Sequence, residues 1–276
     1  MDYKLPERKE ISNKGTYGRV LNFAGSDYMP GAAYLSSIST LKIGCGYCFL
    51  CSTDRVIDIV ASQTHNIVFL PHSRLLDNLE SYDVVEAGCG LSQGEEYKSL
   101  FVKLLCSLNK NTPLLIDADG LNIISQNPDI FLKQNLKNVV FTPHPGEAAR
   151  LLDCSLDDIL SDIKGCSERI SQKYNCVTVL KTHKTIVTTS DGKFYENTTG
   201  NNSMAKAGSG DVLAGMITGL IAQGKDIFEA SCIGVYLHGL CGDLAKEKLT
   251  AYSVMAEDLV SFIPYAIQNL LSKTIQ

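Results

Sequence analysis

Val84-Val-Glu-Ala-Gly-Cys-Gly90, Tyr97-Lys-Ser-Leu-Phe-Val-Lys-Leu-Leu-Cys-Ser-Leu108 and Leu114-Leu-Ile-Asp-Ala-Asp119 follow one another in the chain. They read as strand, helix, strand. Residues 84–87 and 114–116 are short apolar runs, whereas Leu100, Phe101, Leu104, Leu105 and Leu108 recur at helical spacing. Continuous apolar strands that alternate with helices predict a parallel sheet covered on both faces. Further strand-like runs lie at 20–24, 47–51, 67–70, 139–142 and 177–180, and strong helical patterns at 211–223, 227–241 and 256–271. Residues 185–189, followed by Ser190-Asp-Gly-Lys193 and Phe194-Tyr195, predict an antiparallel edge hairpin, because Asp-Gly supplies the positive φ of a tight turn. No repeat or linker interrupts the pattern. The expected fold class is α/β, in one domain spanning 1–276.

The 276 residues are 45% hydrophobic and 20% charged, and 25 basic against 30 acidic residues give a net charge of −5. This balance excludes disordered and coiled-coil classes and lacks the basic footprint of a nucleic-acid binder. The charged opening, Met1 to Glu10, has no apolar run of a signal peptide, and no stretch reaches membrane-spanning length. Ten cysteines scattered through apolar segments suit a reducing cytoplasm. Cys45-Gly-Tyr-Cys48 matches a CxxC pattern, but read as strand it places the two thiols on opposite faces, with no histidine nearby to complete a zinc shell.

In a parallel sheet, ligands bind beyond the carboxyl ends of the strands. Five strand ends carry chemistry: Ala24-Gly-Ser26, Ala87-Gly-Cys-Gly90, Asp117-Ala-Asp119, Thr142-Pro-His-Pro-Gly-Glu147 and Lys181-Thr182. A sixth segment, Asn197-Thr-Thr-Gly-Asn-Asn-Ser-Met-Ala-Lys-Ala-Gly-Ser-Gly-Asp211, runs into an apolar helix. Gly208, Ser209 and Gly210 therefore stand before a buried helix N-terminus, where free N–H groups favour an anion and glycine admits a phosphate. Asp211 either caps that helix or serves as a base beside a transferring phosphoryl group; the Gly-Ser-Gly ahead of it favours the base. No GxxxxGK[ST] occurs, so P-loop chemistry is excluded. Gly88-Cys-Gly90 with Gly94 is an imperfect dinucleotide fingerprint that supports a rival dehydrogenase reading, or else a tight turn passing close to a neighbour. His144, fixed between two prolines, is either a ligand-binding group or part of a rigid turn in which Glu147 opens a helix. Lys181 faces either a nucleotide or solvent.

Together these motifs resemble the NAD(P)H-hydrate dehydratase family, with its three-layer ribokinase-like fold. The resemblance runs from about residue 14 to 264. It is carried by Lys14-Gly-Thr-Tyr-Gly-Arg-Val20, Ala24-Gly-Ser26 with Pro30-Gly-Ala-Ala33, Gly88-Cys-Gly-Leu91, Asp117-Ala-Asp-Gly-Leu-Asn122, residues 142–147, Val179-Leu-Lys181, Thr199-Gly-Asn201 and residues 204–224. With no separate epimerase domain, the chain resembles the stand-alone form. The resemblance implies ADP- or ATP-dependent repair of the S-epimer of hydrated NADH or NADPH: phosphorylation of the C6 hydroxyl, then loss of phosphate. It tilts the donor toward ADP.

By the same resemblance, Asp211 is the base and a substrate contact. Ala33, Gly90 and His144 hold the hydrated dinucleotide. Lys181, Thr182, His183, Lys184 and Thr185 line the nucleotide, together with Gly208, Ser209 and Gly210. Mg2+ is expected from phosphoryl transfer, its ligands unknown; a homo-oligomer, dimer or tetramer, is expected too. Three positions depart from the family pattern: Thr182 and Ala207 stand for glycines and Cys89 for a proline. The alternatives at this point are a small-molecule kinase of the same fold, acting on a vitamin or sugar alcohol, the dehydrogenase, and a nucleotide-binding regulator without catalysis.

Overall fold

Among the described residues, nine short strands hydrogen-bond into one sheet, in the order β3-β2-β1-β4-β5-β6-β7-β8-β9. They are β1 (Arg19–Phe23), β2 (Tyr47–Ser52), β3 (Val68–Pro71), β4 (Val84–Ala87), β5 (Leu114–Ile116), β6 (Val139–Phe141), β7 (Val177–Leu180), β8 (Ile186–Thr188) and β9 (Phe194–Glu196). The computed structural model describes residues 3–274; Met1 and Asp2 of the charged opening, with Ile275 and Gln276, lie outside the described residues. Strands β3 through β7 are parallel, and β8 and β9 return antiparallel as the expected edge hairpin.

Eleven α-helices connect them among the described residues: α1 (Pro30–Lys42), α2 (Asp54–Ala61), α3 (Glu95–Ser107), α4 (Ala118–Gln126), α5 (Pro128–Leu132) and α6 (Pro145–Leu152). The rest are α7 (Leu156–Ser161), α8 (Ile163–Tyr174), α9 (Ser209–Ala222), α10 (Ile227–Leu249) and α11 (Ala256–Thr274). Strand pleating splits the core in two. Leu115 joins α1, α2, α9, α10 and α11 on one face, while Leu114 and Ile116 join α3 to α8 on the other. The α/β expectation therefore holds, with helices on both faces. No helix among the described residues is long and apolar enough to cross a membrane.

Helix α9 is apolar on every side, and nearly all of it is buried. Its close approach to α1 needs Gly215, where a Cβ would strike the Ser36 carbonyl, and Thr40 Oγ1 donates to the Gly215 carbonyl at 3.1 Å. The helix starts two residues before the expected 211, because Gly208 turns the chain in the left-handed region at φ 91°. Helix α10 runs eight residues past the expected 241. At the hairpin edge, the Tyr3 ring stacks on Tyr236 of α10 at 4.0 Å, and its hydroxyl meets that of Tyr195 on β9 at 2.9 Å.

The CxxC reading needs one correction. Cys45 precedes β2 rather than lying in it, so Cys45 and Cys48 pack into the same core instead of facing apart. The conclusion about reactivity is unaffected: Cys45 Sγ donates to the Gly18 and Tyr47 carbonyls, and burial pushes both thiols up, Cys45 to about 11. All ten cysteines are free.

Candidate active site

The chain leaves β1 in opposite directions, to β2 on one side and, later, to β4 on the other, so a crevice opens past the carboxyl ends of β1 and β4. Three turns close over it. The Gly25 N–H donates to the Cys89 carbonyl at 2.8 Å, and Ser26 Oγ to the Gly90 carbonyl at 2.9 Å. Gly88 (φ 122°) passes so close to β5 that a Cβ would collide with the Asp117 carbonyl. Of the two readings of this glycine pair, the tight turn passing close to a neighbour is the one observed. Gly90 is likewise buried, under Met29 and Ala32, and Ala33 is wholly buried within α1 against Gly25. Neither presents a surface.

Asp211 lies in the first turn of α9, half-buried, with its carboxylate beside Cys89 Sγ and Asp117; one ligand-type atom from each lies within 4.8 Å of the others. Burial raises its pKa to about 6, the Asp117 charge adds to the rise, and the Cys89 hydrogen bond and Lys181 oppose it. The carboxylate is thus mostly ionised at neutral pH and well suited to accept a proton. Lys181, at the end of β7, reaches Asp117 Oδ1 at 2.6 Å, and Asp117 is only 1% exposed. Burial alone would lower the Lys181 pKa, but Asp117 and Glu147 outweigh it and hold the ammonium charged. Its Nζ would sit 3.3 Å from a Cβ at Gly210, so the cation stands at the mouth of α9.

His144 caps α6. Its Nδ1 accepts from the Gly146 and Glu147 N–H groups at 3.0 and 3.4 Å, while Glu147 Oε2 accepts from the His144 N–H at 2.8 Å. The rigid turn is therefore real, and the half-exposed ring still faces the site. Burial and the nearby Lys181 lower the His144 pKa, keeping the ring neutral, and burial lifts Glu147 to about 7.

A cavity of about 850 Å³ opens beside these groups, lined by His144, Lys181, Thr182, His183, Thr185, Ser209 and Gly210, with Asn197, Thr199, Gly200, Asn201, Lys206 and His238 among others. Lys184 and Gly208 are not on its wall: Lys184 pairs with Glu196 Oε1 at 3.5 Å, and Gly208 is pressed against Leu35 and Ala256. The Thr182 hydroxyl donates to the Lys184 carbonyl at 2.7 Å and accepts from the Lys184 N–H, so the residue that replaces a glycine ties its own loop.

Sequence reasoning missed several contributors. Asp243 on α10 accepts from the Gly200 N–H at 2.9 Å and from Asn201 Nδ2 at 2.8 Å, fixing the cavity loop. His238, pushed down to about 4 by burial, places Nε2 3.3 Å from Ser209 Oγ. Asp119 and Asn122, which the sequence placed near this edge without a role, hold turns: Asp119 accepts from the Ser92 N–H at 2.9 Å, and Asn122 Oδ1 accepts from Arg150 at 2.8 Å.

The carboxylates do not make a resident magnesium site. Mg2+ takes hard oxygen ligands in an octahedron, whereas this trio includes a thiol, and the Lys181 ammonium already occupies Asp117.

The sequence model described as NAD(P)H-hydrate dehydratase matches residues 20–265. The chain is 36% identical over 280 residues to a bifunctional NAD(P)H-hydrate repair enzyme of Moorella thermoacetica, covering 97% of this chain and 52% of that one. It thus spans about half the length of such bifunctional relatives. An ADP-dependent (S)-NAD(P)H-hydrate dehydratase of Neisseria meningitidis is 35% identical over 241 residues, 87% of this chain and 81% of its own. The ADP/ATP-dependent NAD(P)H-hydrate dehydratase of Bacillus subtilis, co-crystallised with ATP and Mg2+, superposes with a TM-score of 0.86 at 30% identity, covering 96% of this chain and 94% of that one. A ribokinase-like protein of Enterococcus faecalis gives 0.88 at 27% identity, covering 96% and 92%. With a family match over nearly the whole sheet and relatives this similar along their own lengths, the chain belongs to the NAD(P)H-hydrate dehydratase family.

Proposed function

We propose that this chain dehydrates the S-epimer of hydrated NADH or NADPH, using ADP or ATP as phosphoryl donor. The observation that carries the reading is Asp211: an ionisable carboxylate in the first turn of a buried helix, beside a held cation and a cavity of nucleotide size. Asp211 accepts the proton of the C6 hydroxyl as its oxygen bonds to the donor's terminal phosphorus, and the nucleotide leaves one phosphate shorter. The ring nitrogen's lone pair then expels phosphate from C6, and loss of a proton from C5 restores the reduced nicotinamide. Lys181 and the N–H of Gly210, at the mouth of α9, face the negative charge of the phosphates. The 181–185 loop walls the nucleotide side; His144, on the wall of the same cavity, faces the hydrated dinucleotide, and Gly90 and Ala33 support that side from beneath. Magnesium fits as a passenger on the nucleotide's phosphates, and no step is assigned to it. Free cysteines support a reducing compartment such as the cytoplasm. Dimer or tetramer formation, implied by the family, is checked by light scattering.

The test is to supply hydrated NADH with ADP, then with ATP, and follow the return of reduced-nicotinamide absorbance. Asp211→Asn is expected to lower kcat by about 10²–10⁴-fold while nucleotide binding survives, as loss of a general base should. An unchanged rate refutes the assignment. A stable phosphorylated product with no returning absorbance would make the chain a small-molecule kinase instead.

A further inference from the structure

Behind Asp211 lies a carboxyl group that the reaction above does not use. Glu86 is the third residue of β4, in a run otherwise apolar, and is 0% exposed. Its Oε1 accepts from Cys89 Sγ at 3.6 Å, and that thiol lies 4.0 Å from Asp117 Oδ2 and beside Asp211. Its Oε2 has no hydrogen-bond partner, and neither has the Thr218 hydroxyl, which faces the same carboxyl from α9. The polar thread runs from Glu86 through Cys89 to the pair of aspartates, with the Thr218 hydroxyl facing its inner end.

We propose that Glu86 is a positioning acid: neutral and buried behind Asp211, it leaves Asp211 as the free base of the cluster, and its ionisation in alkali weakens the seat of the nucleotide's phosphates. This rests on the dehydratase reading of the same site.

The surroundings give Glu86 no counter-charge. On β1, its register partner is Asn22, whose amide nitrogen is spent on Ser36 and Ser37 and whose Oδ1 is unpartnered. On β2, Cys48 is a buried thiol held neutral by burial. On β5, Leu115 is its partner, and Asp117 follows that strand. On α9 stand Thr218 and the acidic Asp211, and the thiol of Cys89 lies in the turn after β4. The nearest cation in the cluster, Lys181, is bound to Asp117 at 2.6 Å. A charge on Glu86 would stand unpaired and dry, and would add a negative charge behind the helix mouth that receives phosphates. Burial, reinforced by the two aspartates, accordingly pushes Glu86 up to about 8.

Two measurements test this. In infrared titration of the ligand-free protein, wild type is expected to show a protonated-carboxyl component that fades around pH 8, beside the one that Glu147 loses around pH 7, and Glu86→Gln to lack the component near 8 alone. Nucleotide affinity of wild type is expected to fall about tenfold across the same interval, as a single group of value near 8 dictates, with Glu86→Gln changing by less than about threefold. A component fading near pH 8 that survives in Glu86→Gln, or an alkaline fall equal in both proteins, overturns the proposal. The infrared arm needs neither substrate nor turnover. A missing dehydratase activity with that component present therefore sinks the functional reading alone, and an active enzyme without it sinks this one alone.

Discussion

Lys181 and Asp117 form a largely buried ion pair at the mouth of the site. With Asp117 1% exposed and the two atoms 2.6 Å apart, removing the cation strands a dry carboxylate. Lys181→Met is expected to destabilise the fold by about 3–5 kcal/mol, read from denaturant unfolding, because a broken buried pair leaves one charge uncompensated. Lys181→Met with Asp117→Asn should recover much of that loss. Such pairs are hard to foresee from one sequence. Asp211 and Gly210 were legible because Gly-Ser-Gly-Asp abuts an apolar helix, and Lys181 because it ends a strand. Asp117 also ends a strand, but its partner is 64 residues away and no local pattern joins them. Glu86 carried a signal that went unread: a carboxylate inside Val84-Val-Glu-Ala87 costs too much to be placed there idly.

At the level of elements, the loop before α9 is held from α10. Asp243 accepts two donors there, from Gly200 and Asn201, and Thr199 Oγ1 donates to the Tyr236 carbonyl at 2.7 Å. Asp243→Asn turns one acceptor into a donor that faces another donor, at a local cost of about 1–3 kcal/mol. The expected outcome is a nucleotide KM raised about tenfold with kcat nearly unchanged, since 1.4 kcal/mol is one decade; steady-state kinetics in ADP checks it. Strands were legible to within a residue or two, because runs buried on both faces are mostly apolar, with single exceptions such as Asn22 in β1 and Glu86 in β4. Helix α9 began early for a reason that sequence patterning does not weigh, the left-handed turn at Gly208. The cavity wall was legible only in part: loops 181–185 and 208–210 were named, but the helix that braces 199–201 was read merely as apolar.

Over the whole molecule, the buried acids tie stability to pH. Burial first, with Asp117 and Asp211 adding to it, raises Glu86 from 4.5 to about 8 in the folded chain. A raised carboxyl contributes stability that is complete below the unfolded value and lost as pH climbs to the folded one, so the loss falls between about 4.5 and 8. For Glu86 alone it reaches about 3 kcal/mol by pH 7. Glu86→Gln, which cannot titrate, is expected to match wild type more nearly at pH 5 and to exceed it at pH 8, as seen in denaturant midpoints at the two values. Far from this centre, the stacked tyrosine near the start of the chain leans on Tyr236, whose carbonyl also anchors the nucleotide loop. Tyr3 is therefore mechanically in series with the ligand, and a load placed on its ring would tug on the binding loop.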